Sequence, residues 1–253
     1  MSSAAVEQPF LSGGGHPTAT EFDALQRAGV ALEHRGEGRP SMIRLALQGS
    51  DALMVKLWYP KKLWSSDRLR PYSERFRRNA QRFSERGFDA PVVLGWGRLS
   101  GTNVRYLSYR EIPGDALRDA SGALDLDALS GFLLRLHDAG ISFRALHLGN
   151  LLRTPGGFAL IDISDCRFRR GPLSLRERAK NLSGLCAHPT DTDRFGNGAW
   201  SDLVIAYARL AGMSLQDATR LHHKVRTHVK RWDARRARAR ARTRRRQAVK
   251  ERV

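Results

Sequence analysis

The sequence is poor in the features that mark secreted, zinc-stabilised or membrane-spanning proteins. Its 253 residues include two cysteines, Cys166 and Cys186, which form no Cys-x-x-Cys pair. This favours a reducing compartment, with both cysteines as packing residues, over a disulfide framework or a structural zinc site. No apolar run approaches the roughly 18 residues that a membrane-spanning helix needs. Residues 1 to 20 also lack the basic start and apolar core of a secretion signal, so we expect a cytoplasmic protein.

Acidic residues are scarce as well. Lys and Arg number 44 against 25 Asp and Glu, which gives a formal net charge of +19. The excess is uneven, because Lys224 to Val253 hold 14 basic and 2 acidic residues, a net charge of +12 within the total of +19. The rest of the chain is only mildly basic. The charge therefore predicts a basic tail with a polyanionic partner, such as an anionic membrane surface or nucleic acid.

The spacing of the apolar residues changes along the chain, and at 41% of the residues they are numerous enough to form a core. Residues 1 to 20 are polar and glycine-rich and are predicted to lack fixed structure. Residues 21 to 112 alternate short apolar runs with turns, which predicts a small antiparallel sheet. Residues 113 to 230 are predicted to be mainly helical, and 231 to 253 form the Arg-rich tail. The five predicted strands are 29–33, 41–47, 52–58, 92–95 and 104–109, with a helix at 71–87 after the third strand.

Two polar residues, Asn150 and Asp162, each lie next to a short apolar segment in the middle of the chain. A helix ends at Gly140, an irregular loop follows, and Asn150 precedes a short apolar strand. Asp162 lies at the end of the next apolar run, Phe158 to Ile161. Amide and carboxylate oxygens at neighbouring strand ends suit Mg2+ held against the phosphates of a nucleotide. The alternative is that Asn150 and Asp162 only cap turns.

The loop from Phe143 to Asn150 resembles the catalytic loop of protein kinases, H-R-D-L-x-x-x-N, which is followed by an aspartate-containing metal motif. In this sequence the loop reads Phe-Arg-Ala-Leu-His-Leu-Gly-Asn. The resemblance implies that Arg144 is a catalytic-loop residue and that Asn150 and Asp162 are magnesium ligands. It fails at Ala145, where kinases place the aspartate that orients the acceptor hydroxyl, and at Phe143, where they have histidine.

The N-terminal half contains a candidate for the kinase lysine. Lys56 lies in the middle of an apolar strand, where kinase-like proteins hold the α- and β-phosphates of the nucleotide. A buried lysine needs a partner, and the following helix offers Glu74, with Glu85 as the weaker option. Gly36 and Gly38 lie between the first two strands, where a phosphate-covering loop belongs, although G-x-G is only part of that signature. The alternative is that Lys56 points to solvent from an exposed face of the strand.

Five segments carry a closer resemblance: Lys56–Trp58 with the basic run after it, Tyr72–Phe76, Phe143–Asn150, Leu160–Ile163 and Arg167–Ser174. Together they resemble the lipopolysaccharide-kinase-related bacterial proteins known as toluene tolerance proteins, relatives of the Kdo and core-heptose kinases. The resemblance covers roughly residues 25 to 225 and is most specific in the catalytic loop. It implies an α+β, bilobal protein-kinase-like fold, binding of ATP and Mg2+, and a sugar of the lipopolysaccharide inner core as the phosphate acceptor.

The missing aspartate leaves two functional hypotheses open. In the first, His147 replaces it as the catalytic residue that accepts the hydroxyl proton, because an imidazole can do so at neutral pH, and the protein is a kinase. In the second, transfer is lost and the protein is a pseudokinase, a nucleotide sensor or scaffold in Gram-negative envelope biogenesis. His147 could instead be a loop histidine bonded to a backbone carbonyl.

Two basic surfaces add further expectations. The basic residues Arg169, Arg170, Arg176, Arg178 and Lys180 predict either a phosphate-receiving patch beside Asp162 or a solvated face. The Arg-rich tail predicts peripheral attachment to the inner face of the inner membrane, with non-specific binding of nucleic acid as the alternative.

Overall fold

The computed structural model describes residues 3–35, 38–47, 51–60, 71–188, 190–191 and 199–250. The chain divides into two compact units. The first unit holds Met1–Gly114 and Ala159–Asp165, and the second holds Asp115–Phe158 and Cys166–Val253. The short segment Ala159–Asp165, which the sequence placed in the C-terminal part, therefore belongs with the N-terminal sheet. No helix among the described residues is long and apolar enough to cross a membrane.

The first unit is built on a six-stranded sheet with the strand order β1-β5-β6-β4-β3-β2. The five predicted strands are all present as β2 to β6, paired antiparallel. Three α-helices accompany the sheet among the residues of this unit that the structure describes. The strands are β1 (Gly13–Gly15), β2 (Val30–Arg35), β3 (Arg39–Ala46), β4 (Ala52–Trp58), β5 (Val93–Arg98) and β6 (Arg105–Arg110), and the helices are α1 (Ser3–Glu7), α2 (Ala19–Ala28) and α3 (Tyr72–Ser84).

Strand β4 is the centre of the first unit, because it lies between β3 and β6 and all seven of its residues are buried. Leu53, Val55 and Leu57 alternate along it and are at most 1% exposed. Burial of each such side chain contributes roughly 1.5–3 kcal/mol. Lys56 faces the other side of the sheet, paired in register with Met42 on β3 and Leu107 on β6. The sequence alternative of a solvent-exposed Lys56 is therefore wrong, since the residue is 6% exposed.

The N-terminal segment differs from the prediction, which gave residues 1 to 20 no fixed structure. Val6 and Phe10, four residues apart, are both buried, and Phe10 packs edge-on against Tyr106 with ring centroids 5.3 Å apart. Strand β1 then pairs parallel with β5. Two glycines on β5 permit this approach, because a Cβ on Gly95 would lie 2.0 Å from the carbonyl oxygen of Phe10 and one on Gly97 would lie 1.9 Å from that of Gly15. The amino-acid composition of residues 1 to 20 gives no indication of this docking.

The second unit is mainly helical, as predicted. Helix α4 starts at a side-chain cap, where the carboxylate of Asp125 accepts the N–H of Ala128 at 2.9 Å. Four short strands lie between α4 and α5. The third of them ends within the segment Ala159–Asp165, which belongs to the first unit. The helices are α4 (Leu126–Asp138), α5 (Leu175–Cys186), α6 (Ala199–Leu210) and α7 (Leu215–Lys250), and the strands are β7 (Asp115–Ala116), β8 (Ile141–Phe143), β9 (Leu151–Thr154), β10 (Gly157–Leu160) and β11 (Cys166–Phe168).

Candidate functional site

A lysine–aspartate pair lies in the first unit. The Nζ atom of Lys56 is 2.7 Å from Oδ1 of Asp162, and the two side chains are 8% and 46% exposed. The amine is thus enclosed by the sheet, whereas the carboxylate still reaches solvent. Because an isolated buried charge costs several kcal/mol, Asp162 offsets the burial of Lys56.

The backbone holds Asp162 in an unusual conformation. Its φ of 52° makes it the one non-glycine residue with a positive φ in the described part of the chain. Such a left-handed conformation is uncommon for aspartate and persists only where the surroundings enforce it. Asp162 is two residues after the buried end of β10, whose Leu160 N–H donates to the carbonyl of Asp89 at 3.2 Å.

Helix α3 fixes the turn that follows Asp162. The side-chain amide of Asn79 donates to the carbonyl of Ile163 at 2.7 Å, and the hydroxyl of Ser164 donates to the carbonyl of Tyr72 at 3.2 Å. Arg75 and Asp165 add an ion pair. Asn79 is buried, so its bonds are made in a dry environment where a missing partner is costly. These contacts set the direction in which the Asp162 carboxylate points.

The surroundings of Lys56 combine aromatic rings and negative charge. Its ammonium lies 5.9 Å from the Trp58 ring centroid and 6.0 Å from that of Phe76, within the range of cation–π attraction. Burial raises the pKa of the nearby Tyr109 hydroxyl, and the negative charge of Asp162 raises it further. Tyr109 therefore stays neutral, and its ring stacks on Phe76 at 5.5 Å.

The predicted partner of Lys56 is paired elsewhere. The carboxylate of Glu74 contacts Arg77 at 2.9 Å and Arg78 at 3.1 Å, one turn along its own helix. The hydrogen bond from Arg77 is the main reason why the pKa of Glu74 is lowered. The predicted Lys56–Glu74 pair is not formed in this structure, because these arginines satisfy Glu74 locally and Asp162 satisfies Lys56. Glu85, the weaker option, accepts a hydrogen bond from Gln81 at 2.9 Å.

The two predicted loop glycines have different outcomes. Gly38 has a φ of 70°, in the left-handed region that glycine enters without strain, and it is exposed in the turn before β3. Gly36 lies outside the described residues. The role of both in covering a phosphate stays a prediction.

The kinase-like loop of the second unit begins at a buried phenylalanine. Phe143, at the position of the kinase histidine, is 1% exposed. Its carbonyl accepts from the amide of Asn181 at 2.6 Å, and its N–H donates to the same side chain at 3.3 Å. Asn181 also accepts from Nε2 of His137 at 3.0 Å. This buried network attaches the start of the loop to α4 and α5.

Three other predicted residues lie on the same loop. Arg144 is exposed and Ala145 is partly buried. Asn150 is 8% exposed, and its Nδ2 donates to the carbonyl of Ala145 at 2.9 Å. Asn150 therefore does cap the loop, as the structural alternative proposed, while its role as a magnesium ligand stays a prediction.

His147 has a partner that bears directly on its predicted role. A guanidinium nitrogen of Arg118 lies 3.1 Å from Nδ1 of His147. A guanidinium carries only donors, so this Nδ1 acts as the acceptor and the neutral ring carries its proton on Nε2. A general base needs a lone pair that faces the substrate, and here the ring's lone pair is engaged by Arg118. The geometry thus disfavours His147 as the replacement for the missing aspartate.

The residues that hold His147 are not apparent from the sequence. Asp191 is fully buried, with Oδ1 2.6 Å from Nε of Arg118 and Oδ2 accepting the N–H of Leu148 at 2.7 Å. Ligand atoms of His147, His188 and Asp191 lie within 4.8 Å of one another, as in a metal site. The cation among them is the guanidinium of Arg118, which also lies 3.4 Å from Nδ1 of His188. Because Arg118 and Asp191 are 73 positions apart, no local motif reveals them.

Comparison with known proteins gives a fold and no family. No protein-family model matches the chain, and no curated protein sequence matches it. The solved structure of the aminoglycoside phosphotransferase APH(3'')-Id from Streptomyces rimosus, in complex with ADP and streptomycin, is similar with a TM-score of 0.52 and 16% identity over 83% of this chain and 98% of that chain. Its structure described without those ligands gives the same TM-score of 0.52 at 15% identity.

A co-crystal structure of WbdD with the kinase inhibitor LY294002 is also similar, with a TM-score of 0.42 and 16% identity over 69% of this chain. The present chain spans 44% of that WbdD chain. The phosphotransferase likeness shows that the chain has a protein-kinase-like fold, with a sheet unit and a helical unit. Membership of the lipopolysaccharide-kinase-related family stays a prediction.

Proposed function

We propose that this protein binds ATP with Mg2+ through Lys56 and Asp162. The observation that carries the proposal is the pair itself, a buried ammonium 2.7 Å from a half-exposed carboxylate held at a positive φ. An ammonium is a phosphate ligand and a carboxylate is a magnesium ligand, so the donor set fits both groups. Bound Mg2+ would neutralise phosphate charge. From its place in the loop pattern, Asn150 is likewise proposed as a magnesium ligand.

The solved neighbour supports a nucleotide rather than another phosphate compound. The structure of the similar aminoglycoside phosphotransferase is a complex with ADP and streptomycin, and its fold is the one found here. Arg144, Gly36 and Gly38 are proposed to contribute to the same function, from the sequence pattern alone.

The local geometry favours nucleotide binding with little or no phosphoryl transfer. Ala145 has no group that accepts a proton, and the lone pair of His147 is engaged by Arg118. Loss of proton-accepting assistance typically slows transfer by about 10²–10⁴-fold, whereas nucleotide binding depends on other residues. We therefore propose a nucleotide sensor or scaffold, a pseudokinase of envelope biogenesis. The second candidate, supported by the sequence resemblance, is a kinase that phosphorylates a lipopolysaccharide inner-core sugar.

The exposed end of α7 is proposed to attach the protein to the inner face of the inner membrane. Its described side chains from Arg231 to Ala239 are exposed apart from Arg236, and the helix continues to Lys250. A cationic helix near an anionic leaflet gains about 1 kcal/mol per basic residue close to the surface. Non-specific nucleic acid is the alternative partner of this segment.

Thermal unfolding with ATP and Mg2+ tests the nucleotide site. We expect the ligand to raise the melting temperature of the wild type and to leave that of Lys56→Met and Asp162→Asn unchanged. Asp51→Asn is the matched control, because Asp51 belongs to the same unit and its pair with Arg110 is exposed, so its ligand response should equal that of the wild type. A full ligand response in the Lys56 and Asp162 variants would refute the site.

Phosphate release from ATP separates the two functional candidates. For a pseudokinase we expect no turnover in the wild type and no effect of His147→Ala. Introducing Ala145→Asp restores the carboxylate of the kinase pattern and should then raise turnover, by as much as about 10²–10⁴-fold, since general-base assistance has that size. Wild-type turnover that disappears in His147→Ala would instead establish the kinase.

A further inference from the structure

A basic cleft lies within the second unit, on helices α5 and α7. It encloses about 530 Å³. The cleft is lined by Arg169, Ser174, Arg176, Glu177, Lys180 and His228.

The positive charge in the basic cleft and beside it follows from helical spacing. Arg176 and Lys180 are four residues apart on α5, so they share one face of that helix. On α7, Lys224, His228 and Arg231 are spaced by four and three and share a face in the same way. Helix α7 has no acidic residue between Asp217 and Asp233, so no carboxylate on that stretch opposes them.

The single acidic residue that lines the basic cleft is already paired. Glu177 forms an ion pair with Arg169 and accepts the hydroxyl of Ser174 at 2.8 Å and its N–H at 3.1 Å. The hydroxyl of Ser174 is the main reason why the pKa of Glu177 is lowered. Within the described part of the chain, Arg176 and Lys180 form no ion pair and are exposed. The cleft therefore keeps a net positive charge.

His228, which also lines the basic cleft, is affected by the positive charges around it. Its pKa is lowered, first by burial and then by the positive charges of Arg231, Lys180, Lys224 and Arg176. Cations on two helices thus act together on one imidazole. Arg178, part of the patch predicted from the sequence, does not join them, because it turns to Asp138 at 2.6 Å and to Tyr207 at 2.9 Å.

We propose that the basic cleft is a binding site for a phosphate-bearing ligand, held by Arg176, Lys180 and His228, with Lys224 one turn away from His228 on α7. A volume of about 530 Å³ exceeds what one phosphate group fills, so a diphosphate or a phosphate attached to a larger group suits it. The ligand is either a soluble phosphate compound or a lipid headgroup. This site goes beyond the proposed nucleotide function, because all its residues belong to the second unit.

Inorganic pyrophosphate is the first probe, used with the full chain at constant ionic strength. Calorimetric titration should show saturable binding, which weakens by about tenfold or more in Lys180→Ala/Lys224→Ala, since charge-assisted contacts are lost. The control Arg226→Ala/Lys230→Ala removes the same charge from other faces of α7 and should bind as the wild type does. In the NMR titration of His228, assigned with His228→Gln, saturating pyrophosphate should raise its measured pKa by about 1.

A lipid probe identifies the source of the phosphate group, and the control variants test the proposal itself. Dihexanoyl phosphatidic acid, a soluble short-chain lipid, identifies a headgroup site if it binds more tightly than pyrophosphate, and a soluble-phosphate site if it binds more weakly. Equal weakening in the test and control variants, or an unchanged pKa of His228, overturns the proposal, because either result means that the positive charge acts diffusely. The nucleotide tests with Lys56 and Asp162 are independent of this outcome.

Discussion

The pairs Lys56–Asp162 and Arg118–Asp191 show how a buried charge is matched by a partner of opposite charge. Each cation lies against a carboxylate from a distant part of the chain, Asp162 for Lys56 and Asp191 for Arg118. In the first pair the carboxylate is the exposed member, so it remains accessible to a ligand. In the second the carboxylate is fully buried, so the pair serves the structure of the loop around His147. The difference in exposure separates a candidate binding group from a structural one.

Replacing Arg118 should destabilise the second unit. Arg118→Met leaves Asp191 buried without its cation, and breaking such a pair costs about 3–5 kcal/mol in the free energy of unfolding. Urea unfolding of Arg118→Met/Asp191→Asn should recover part of this loss, because asparagine is neutral and still accepts the N–H of Leu148. The control Arg209→Met removes an exposed pair with Asp127 and should cost about 0–1 kcal/mol. Equal losses in both single variants would contradict the structural role of Arg118.

His137 should make stability depend on pH. Burial lowers its pKa from 6.5 to about 4, and it bonds to Tyr207 at 2.8 Å and Asn181 at 3.0 Å as a neutral ring. The unfolded state therefore binds more protons between these values, so the contribution of His137 is complete above 6.5 and is lost as the pH falls towards about 4. The loss amounts to about 3 kcal/mol.

The measurement compares urea unfolding of wild type and His137→Gln near neutral pH and near the acid end of this window. The variant should be less stable near neutral pH, and its stability should fall less on acidification. A parallel fall in both proteins would show that other groups account for the acid sensitivity.

At the scale of elements, helix α3 and the N-terminal segment each dock through backbone contacts. Asn79 on α3 holds the carbonyl of Ile163, next to Asp162. On the far edge of the sheet, Gly97 brings β5 against β1 with no side chain between them. Both contacts depend on backbone groups, which every residue carries, and so neither has a distinctive sequence signal.

A methyl group at Gly97 should detach the N-terminal segment. The added Cβ would lie 1.9 Å from the carbonyl oxygen of Gly15, so Gly97→Ala should cost about 1–3 kcal/mol and speed proteolysis near residues 10 to 20. Gly131→Ala is the matched control in α4, where the nearest atom, on Leu210, is 3.9 Å away. Because alanine favours helix, that variant should gain about 0.5–1 kcal/mol. Unchanged proteolysis of Gly97→Ala would contradict the docking of β1.

At the scale of the whole molecule, a large share of the positive charge lies on a segment that is separate from the core. The exposed end of α7 has few apolar positions, so it contributes little to the core, while its residues 231–250 hold a net charge of +9 within the total of +19. Stability should then depend on the two units, and binding to anionic surfaces on the helix end.

Removal of residues 233–253 tests this separation. The truncation removes a net charge of +8, so sedimentation with vesicles of phosphatidylcholine and phosphatidylglycerol should fall by about tenfold or more, with little change in melting temperature. Replacing the arginines of this segment by glutamine keeps the helix and should release the protein equally. Vesicle binding that survives both changes would rule out the tail as the membrane contact.

Local patterns in the sequence are enough to predict the class of fold and many of its elements. Apolar alternation located β2 to β6, helical spacing located α3 and predicted that the second unit is mainly helical, and the loop from Phe143 to Asn150 pointed to a kinase-like protein, because these signals act between near neighbours in the chain. Signals between near neighbours also identified Lys56 and Asp162 as candidate site residues.

Which side chains and segments come into contact depended on the folding of the whole chain. It paired Lys56 with Asp162 instead of Glu74, engaged His147 through Arg118, and ordered the N-terminal segment against Gly95 and Gly97. The physical reason is common to all three: electrostatic pairing and close packing depend on distances in space, and residues up to 106 positions apart in the sequence become neighbours only when the chain has folded.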